Sequence, residues 1–266
     1  MLLLPACVPG FVLPTWRPSS TPSLRLTAVR ASAVEEKIVD VAIAAGREAA
    51  DVVVARVGAD VLKTKASRGD LLTAADAEVQ DLIERRVAEA FPSHAFLGEE
   101  SVDAGAAASA SALGSSLDGS AEYLWICDPI DGTTNFVQSL PLVGISIGVA
   151  KREASGYELC AGVIVDPFRG EVFAARRGAG ATLDGEPIRV GPEALSDAVV
   201  ATGFAPTQAS LQPMLRGMAE VGRKARTLRM LGSAAIMLAW VACGRLSAYF
   251  EADLNSWDSA AGVRYA

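Results

Sequence analysis

The 266-residue chain contains a single histidine, His94, and only four cysteines, Cys7, Cys127, Cys160 and Cys243, none of them in a Cys-x-x-Cys pair. Cysteines this scattered argue against a zinc ribbon or a disulfide scaffold and suit a reduced compartment. One histidine leaves neither a multi-histidine zinc site nor a Ser-His-Asp triad with a second histidine in reserve. Any chemistry then rests on carboxylates. Aromatics are sparse at 6%, and no long uncharged run reads as a membrane span. The most apolar window, Leu231–Gly244, ends at Arg245 and suits a buried helix better than a bilayer crossing, which needs about 20 apolar residues. Bases are outnumbered, 24 against 31 acids, and the formal charge of −7 would repel nucleic acid. An anionic substrate therefore needs local cations. What is plentiful is apolar: 51% of residues are hydrophobic and the mean hydropathy is +0.30, a globular composition for one or two domains.

Residues 1–31 carry Arg17, Arg25 and Arg30, a Ser/Thr-rich stretch, and no Asp or Glu. This is the composition of an organelle transit peptide. A secretory signal competes through Met1-Leu2-Leu3-Leu4, but Pro5, Pro9 and Pro14 interrupt the run and no basic segment precedes it. Val29-Arg30-Ala31-Ser32-Ala33 looks like chloroplast cleavage sites, so a plastid is the first expectation and a mitochondrion the alternative.

Helical spacing of Ile38, Val41, Ala42, Ala45, Ala49, Val52 and Val53 predicts an amphipathic helix over Ala33–Val57; Val79, Ile83 and Val87 predict another over Ala74–Phe91. Residues 102–121 are of low complexity and are expected to form a flexible surface loop. Strand-like runs follow at Tyr123–Cys127, Gly144–Val149, Cys160–Val165 and Val172–Ala174. Gly178-Ala179-Gly180-Ala181 and Asp184-Gly185 read as hairpin turns, and no Gly-x-Gly-x-x-Gly opens a helix, which argues against a nucleotide fold. A layered mixed α/β (α+β) architecture is expected over residues 32–266.

Three acidic clusters stand where apolar elements begin or end: Gly98-Glu99-Glu100-Ser101, Asp128-Pro129-Ile130-Asp131-Gly132-Thr133-Thr134-Asn135, and Trp257-Asp258. Each has an ordinary structural reading: a solvated acidic pair, an Asp-Gly turn, an Asp at a helix N-cap. Jointly they offer converging oxygen donors. The strand before Asp128 delivers it at a C-terminal end, and Pro129 imposes an extended bend that can aim Asp128 and Asp131 at one point. Hard oxygen donors suit Mg²⁺, which often bridges to a substrate phosphate. Gly132-Thr133-Thr134 can open a short helix whose free amides face that phosphate. Paired metals would activate water for in-line attack on a phosphate monoester with no protein nucleophile. His94 is expected in a turn or at the surface, and Cys127 in a buried strand.

Taken together and in this order, these motifs resemble the inositol monophosphatase family of magnesium-dependent, lithium-sensitive sugar-phosphate phosphatases. The resemblance is carried by Gly98-Glu99-Glu100-Ser101, by Asp128 to Phe136, and by Trp257-Asp258-Ser259-Ala260-Ala261-Gly262, with Lys65 and Asp70 to Asp76 upstream. It implies alternating helix and sheet layers of the inositol monophosphatase and fructose-1,6-bisphosphatase type. It also implies that Glu99, Asp128 and the Ile130 carbonyl hold a first Mg²⁺, that Asp128, Asp131 and Asp258 hold a second, and that Asp76 lies near a weaker third. Thr133 would orient the attacking water with Glu99. Asp131, Gly132, Thr133, Asp258, Glu251 and the backbone of Gly232-Ser233-Ala234 would bind substrate. Inositol monophosphate is the expected substrate. Histidinol phosphate, galactose 1-phosphate, fructose 1,6-bisphosphate and 3′-phosphoadenosine 5′-phosphate stay open, and a homodimer is expected. Family members continue past Gly262 with a further strand and helices, so a non-catalytic fragment is the expectation from another class.

Overall fold

A computed structural model describes residues 33–58, 61–64, 71–204 and 207–265. Residues 1–31, where a transit peptide is expected, as well as Lys65 and Asp70, lie outside them.

The first helix, α1 (Ala33–Arg56), buries Ile38, Ala42, Ala45, Ala49 and Val53 on one stripe, with Val41 and Val52 half-buried beside it. A short hairpin, β1 (Val61–Thr64) with β2 (Leu71–Thr73), leads into α2 (Ala74–Ala90). Thr73 caps α2: its hydroxyl accepts from the Ala75 N–H, while the Asp76 carboxylate accepts from the Thr73 N–H at 2.8 Å. Both helices pack on one face of a seven-stranded sheet. Its strands are β3 (Ala95–Gly98), β4 (Tyr123–Asp131), β5 (Gly144–Glu153), β6 (Gly156–Asp166), β7 (Glu171–Arg176), β8 (Gly180–Leu183) and β9 (Glu186–Pro187), in that spatial order. Only β3 and β4 run parallel; the other neighbours are antiparallel. The turns expected at residues 178–181 and 184–185 join β7 to β8 and β8 to β9.

Alternation along β4 divides the core. Tyr123, Trp125 and Cys127 join the α1 and α2 side, whereas Leu124 and Ile126 face the opposite layer. That layer holds α3 (Ala106–Asp118), α6 (Ala234–Ala242) and α7 (Ser256–Val263), whereas the short α4 (Thr133–Val137), after β4, sends Phe136 into the core on the α1 and α2 side. Helix α6 is apolar on nearly all sides because it is covered twice. Ile164 and Phe173 of the large sheet meet one face, and Ala201 and Tyr249 of a second sheet meet the other. The second sheet is parallel, ordered β11 (Thr227–Arg229), β10 (Val199–Thr202), β12 (Ala248–Phe250), with α5 (Gln208–Gly222) beyond it. Helix and sheet layers therefore alternate, as the family resemblance implied. No helix among the described residues is long and apolar enough to cross a membrane.

The expectation of a loop over 102–121 is corrected: thirteen of these residues form α3. Alanine is the strongest helix former. Leu113 is buried, with Ala112 and Leu117 packed beside it, a seam too narrow to register as amphipathic among so many alanines and serines. Arg152 holds the far end, donating to the carbonyls of Leu117, Gly119 and Ala121.

Candidate metal centre and active site

Strand β4 ends irregularly. Its pairing with β5 shifts register between Asp128 and Asp131, at Pro129, which has no N–H to give the ladder. The Ile130 N–H instead donates to Asp128 Oδ1 at 3.1 Å. This one-residue bulge, three steps along β4 opposite two along β5, brings both aspartates to the same end of the strand, as the Asp-Pro-x-Asp spacing predicted. Gly132 follows at φ 99°, a left-handed conformation that turns the chain into α4 where a side chain would be strained.

Asp258 arrives from the helix layer. Helix α7 lies on Gly148 and Gly162, which are cross-strand partners on β5 and β6. A Cβ on Gly162 would sit 2.4 Å from the Ala261 carbonyl oxygen, and one on Gly148 would sit 2.6 Å from Ala260 Cβ. Only a bare strand surface lets the helix backbone come so close. The Ser146 hydroxyl then donates to the Trp257 carbonyl at 2.9 Å. Asp258 is not itself the N-cap, as its sequence context suggested. Asn255 caps α7, and Asp258, at the third helical position, accepts the Asn255 N–H on Oδ2 at 2.6 Å.

Asp128, Asp131 and Asp258 come together: one carboxylate oxygen from each lies within 4.8 Å of the others. Asp128 is 2% exposed and its carboxyl is held well above the usual range, first by burial, then by the charges of Glu99, Asp131 and Asp258. Burial likewise raises Asp131 to about 6, although the Ser233 hydroxyl and the Ala235 N–H, each 2.6 Å from Oδ2, favour its charge. Asp258 is raised by burial and then by Asp131 and Glu99. In each aspartate one oxygen is engaged by nearby N–H or O–H groups, and these carboxylates repel one another at close range. An oxygen-only donor set of this charge fits a divalent cation.

A sequence model of the inositol monophosphatase family matches residues 34–264. The chain belongs to the inositol monophosphatase family. It is 39% identical over 234 residues to inositol monophosphatase 2 of Solanum lycopersicum, covering 86% of this chain and 83% of that one. Among solved structures, inositol monophosphatase from Anabaena is 32% identical with a TM-score of 0.71, over 86% of this chain and 80% of that chain. The suppressor protein suhB of Bartonella henselae is 31% identical with a TM-score of 0.74, over 86% and 83%.

The remaining candidates of this inositol monophosphatase family member, Asp76 excepted, border the cluster. Glu99 stands in a single 3₁₀ turn after β3, within hydrogen-bonding reach of Asp128. Thr133 donates to the Ile130 carbonyl at 3.1 Å. Gly132 packs against the Gly232 carbonyl, and Ser233, the cap of α6, bonds directly to Asp131, so that Gly232-Ser233-Ala234 borders the aspartates. Glu251 leaves the end of β12, and burial raises it to about 7. Asp76 stands apart from the three-aspartate group: it is 1% exposed, and its Oδ2 caps α2.

Two residues essential to this arrangement had no assigned role. Asn135 Nδ2 donates to the carbonyls of Leu142 and Leu231, both at 2.7 Å, tying α4 to the loop before Ser233. Gln80 accepts from the Glu100 N–H at 2.8 Å and donates to Ser101 Oγ at 2.9 Å, fixing the turn that carries Glu99. Asn135 lies inside the Asp128–Phe136 motif, but nothing in the sequence marks Gln80, which acts across 20 residues. His94 lies in the expected bend yet is half-buried, stacked between Phe91 and Tyr123, with Nδ1 accepting from Trp125 Nε1 at 3.0 Å. Cys127 is fully buried, and burial pushes its thiol well up.

Proposed function

We propose that this chain hydrolyses inositol monophosphate to the polyol and inorganic phosphate, requires Mg²⁺ and is inhibited by Li⁺. The observation that carries the reading is the convergence of Asp128, Asp131 and Asp258 to within 4.8 Å, where the end of β4 meets α7. With Glu99 and the Ile130 carbonyl, these residues would hold two Mg²⁺ ions, and Asp76 is the candidate for a third. Bound Mg²⁺ lowers the pKa of water, neutralises phosphate charge and stabilises the leaving alkoxide. The protein's own groups do the positioning. The Thr133 hydroxyl donates a hydrogen bond to the Ile130 carbonyl, which leaves its oxygen to accept a hydrogen bond from the attacking water while Glu99 accepts one from the water's other hydrogen. Glu251 accepts from the polyol hydroxyls, and the Gly232-Ser233-Ala234 backbone borders the same side.

The names of the tomato and Anabaena relatives support the substrate; the suhB likeness is compatible with other small phosphates. We further propose a homodimer, on the family resemblance, and a plastid location, on the acid-free, arginine-bearing residues 1–31. Fusing those residues to a fluorescent protein tests the location. The activity is tested by measuring phosphate release from myo-inositol 1-phosphate while Mg²⁺ is titrated and Li⁺ added, beside Asp128→Asn. Release that needs Mg²⁺, falls with Li⁺ and disappears in the variant is expected. Undiminished release by Asp128→Asn would sink the reading, and faster release from another small phosphate would move the substrate alone.

A further inference from the structure

Glu251 sits on an insecure support. It follows β12, a three-residue strand at the edge of its sheet that pairs, among the described residues, with β10 alone, the last pair being Thr202 with Phe250. Just beyond that pair Gly203 passes so near Glu251 that a Cβ there would lie 2.2 Å from its carboxylate oxygens. The Tyr249 hydroxyl donates to Glu251 Oε2 at 2.7 Å. Beyond these contacts come exposed Phe204 on the one segment and half-buried Ala252 on the other.

Among the described residues, the Asp253 side chain links the second segment to the start of α5. Asp253 accepts from Thr207 Oγ1 on Oδ2 at 2.7 Å and from Ser210 Oγ on Oδ1 at 2.8 Å. Thr207 is the N-cap of α5, its oxygen also accepting the Ser210 N–H at 3.3 Å. Both carboxylate oxygens are therefore committed to the start of a fifteen-residue helix. Asp253 holds this position at φ 63°, a left-handed conformation that non-glycine residues seldom adopt and that persists where surrounding interactions dictate it.

We infer that Asp253 is a positioning residue: by tying the turn after Glu251 to the first turn of α5, it fixes the carboxylate that receives the substrate's hydroxyls. The inference rests on the proposed polyol role of Glu251. Without the tie, the turn after a three-residue edge strand loses its link to the start of α5, and the Glu251 carboxylate loses its fixed place relative to the aspartates. Recognition of a hydroxylated ester suffers, while an ester without such hydroxyls is indifferent.

The test compares kcat/KM for myo-inositol 1-phosphate with that for phenyl phosphate, which has no ring hydroxyls, in wild type, Asp253→Gly, Asp253→Asn, Glu251→Gln and the Asp253→Gly/Glu251→Gln double variant. Glycine suits the left-handed backbone and removes only the tie; asparagine keeps one acceptor oxygen. Asp253→Gly should lower the ratio roughly tenfold, the scale of one misplaced hydrogen bond to substrate, chiefly through KM for the inositol ester. Asp253→Asn should fall between, and the double variant should lose no more than Glu251→Gln alone. Amide hydrogen exchange should quicken in Asp253→Gly at residues 209–211 and 252–254 together.

An unchanged ratio in Asp253→Gly beside a lowered one in Glu251→Gln overturns this inference alone. Equal losses for both esters, additive losses in the double variant, or unaltered exchange at both segments also overturn it. An unchanged ratio in Glu251→Gln removes the polyol role of Glu251, and this inference with it.

Discussion

Replacing Gly162 with alanine should drive helix α7 off the sheet and take Asp258 with it. The new methyl group would stand 2.4 Å from the Ala261 carbonyl oxygen and 3.0 Å from its Cα, against the 3.4 Å at which ordinary contact begins, so about 1 Å must be found. Neither side can yield cheaply. The obstacle is helix backbone, and Gly162 belongs to β6, which is paired on both sides, with β5 and with β7. Overpacking of this kind costs about 1–3 kcal/mol, and each kcal/mol lowers the melting temperature by about 2–4 °C in a chain of this size. The effect on the site should be larger. Ligand oxygens tolerate displacements of about 0.2 Å, and a shift of about 1 Å in a reacting assembly costs on the order of a hundredfold in rate. Melting curves with and without Mg²⁺, alongside phosphate release, separate the two effects. The variant should melt below wild type without the ion, and the gap should widen when Mg²⁺ is added because wild type binds it more tightly. A Gly162→Ala protein with wild-type Mg²⁺ stabilisation and wild-type turnover would refute the claim that the glycine pair sets the position of Asp258.

Two further outcomes can be checked on the same melting apparatus. Gly114, in the middle of α3, has open space for 4 Å around the point where a methyl group would stand, so Gly114→Ala should stabilise the chain by about 0.4–1 kcal/mol; destabilisation would contradict a helix there. Burial lowers the His94 pKa below its ordinary value of 6.5, so folding favours neutral imidazole, and the stability this contributes is present above that value and lost as pH falls through the folded-state value. Wild type should lose more melting temperature between about pH 7.5 and about pH 5.5 than His94→Gln does; parallel curves would count against the assignment.

The sequence disclosed some parts of this molecule better than others, for physical reasons. Helices α1 and α2 were legible because each buries one stripe against a single sheet face, and β4 to β7 because turns punctuate continuous apolar runs. The aspartates were legible as a group because Pro129 and the spacing of Asp128 and Asp131 constrain geometry locally. Helix α3 was hidden, since its anchoring to Arg152 depends on a residue 33 positions from Gly119. The Asp258 cap was misplaced because the capping box at Asn255 also uses Asp258 and the two assignments differ only in which residue has non-helical backbone. Contacts across long stretches of chain, such as Ser233 to Asp131 over 102 residues, leave no local trace.

The alternation of β4 makes the protein unequally tolerant of changes in chain length. Tyr123, Trp125 and Cys127 fill one core while Leu124, Ile126 and Asp128 face the other layer, and a single-residue slip exchanges the two sets. Deleting one residue between Tyr123 and Cys127 would send an aromatic into the α7 layer and turn Asp128 towards α1 and α2, disabling core and site together. An extra residue at exposed Gly105, before α3, meets neither penalty. Insertions and deletions accumulated by such a chain should therefore cluster around α3 and spare β4, even where single substitutions in the two segments are accepted equally often.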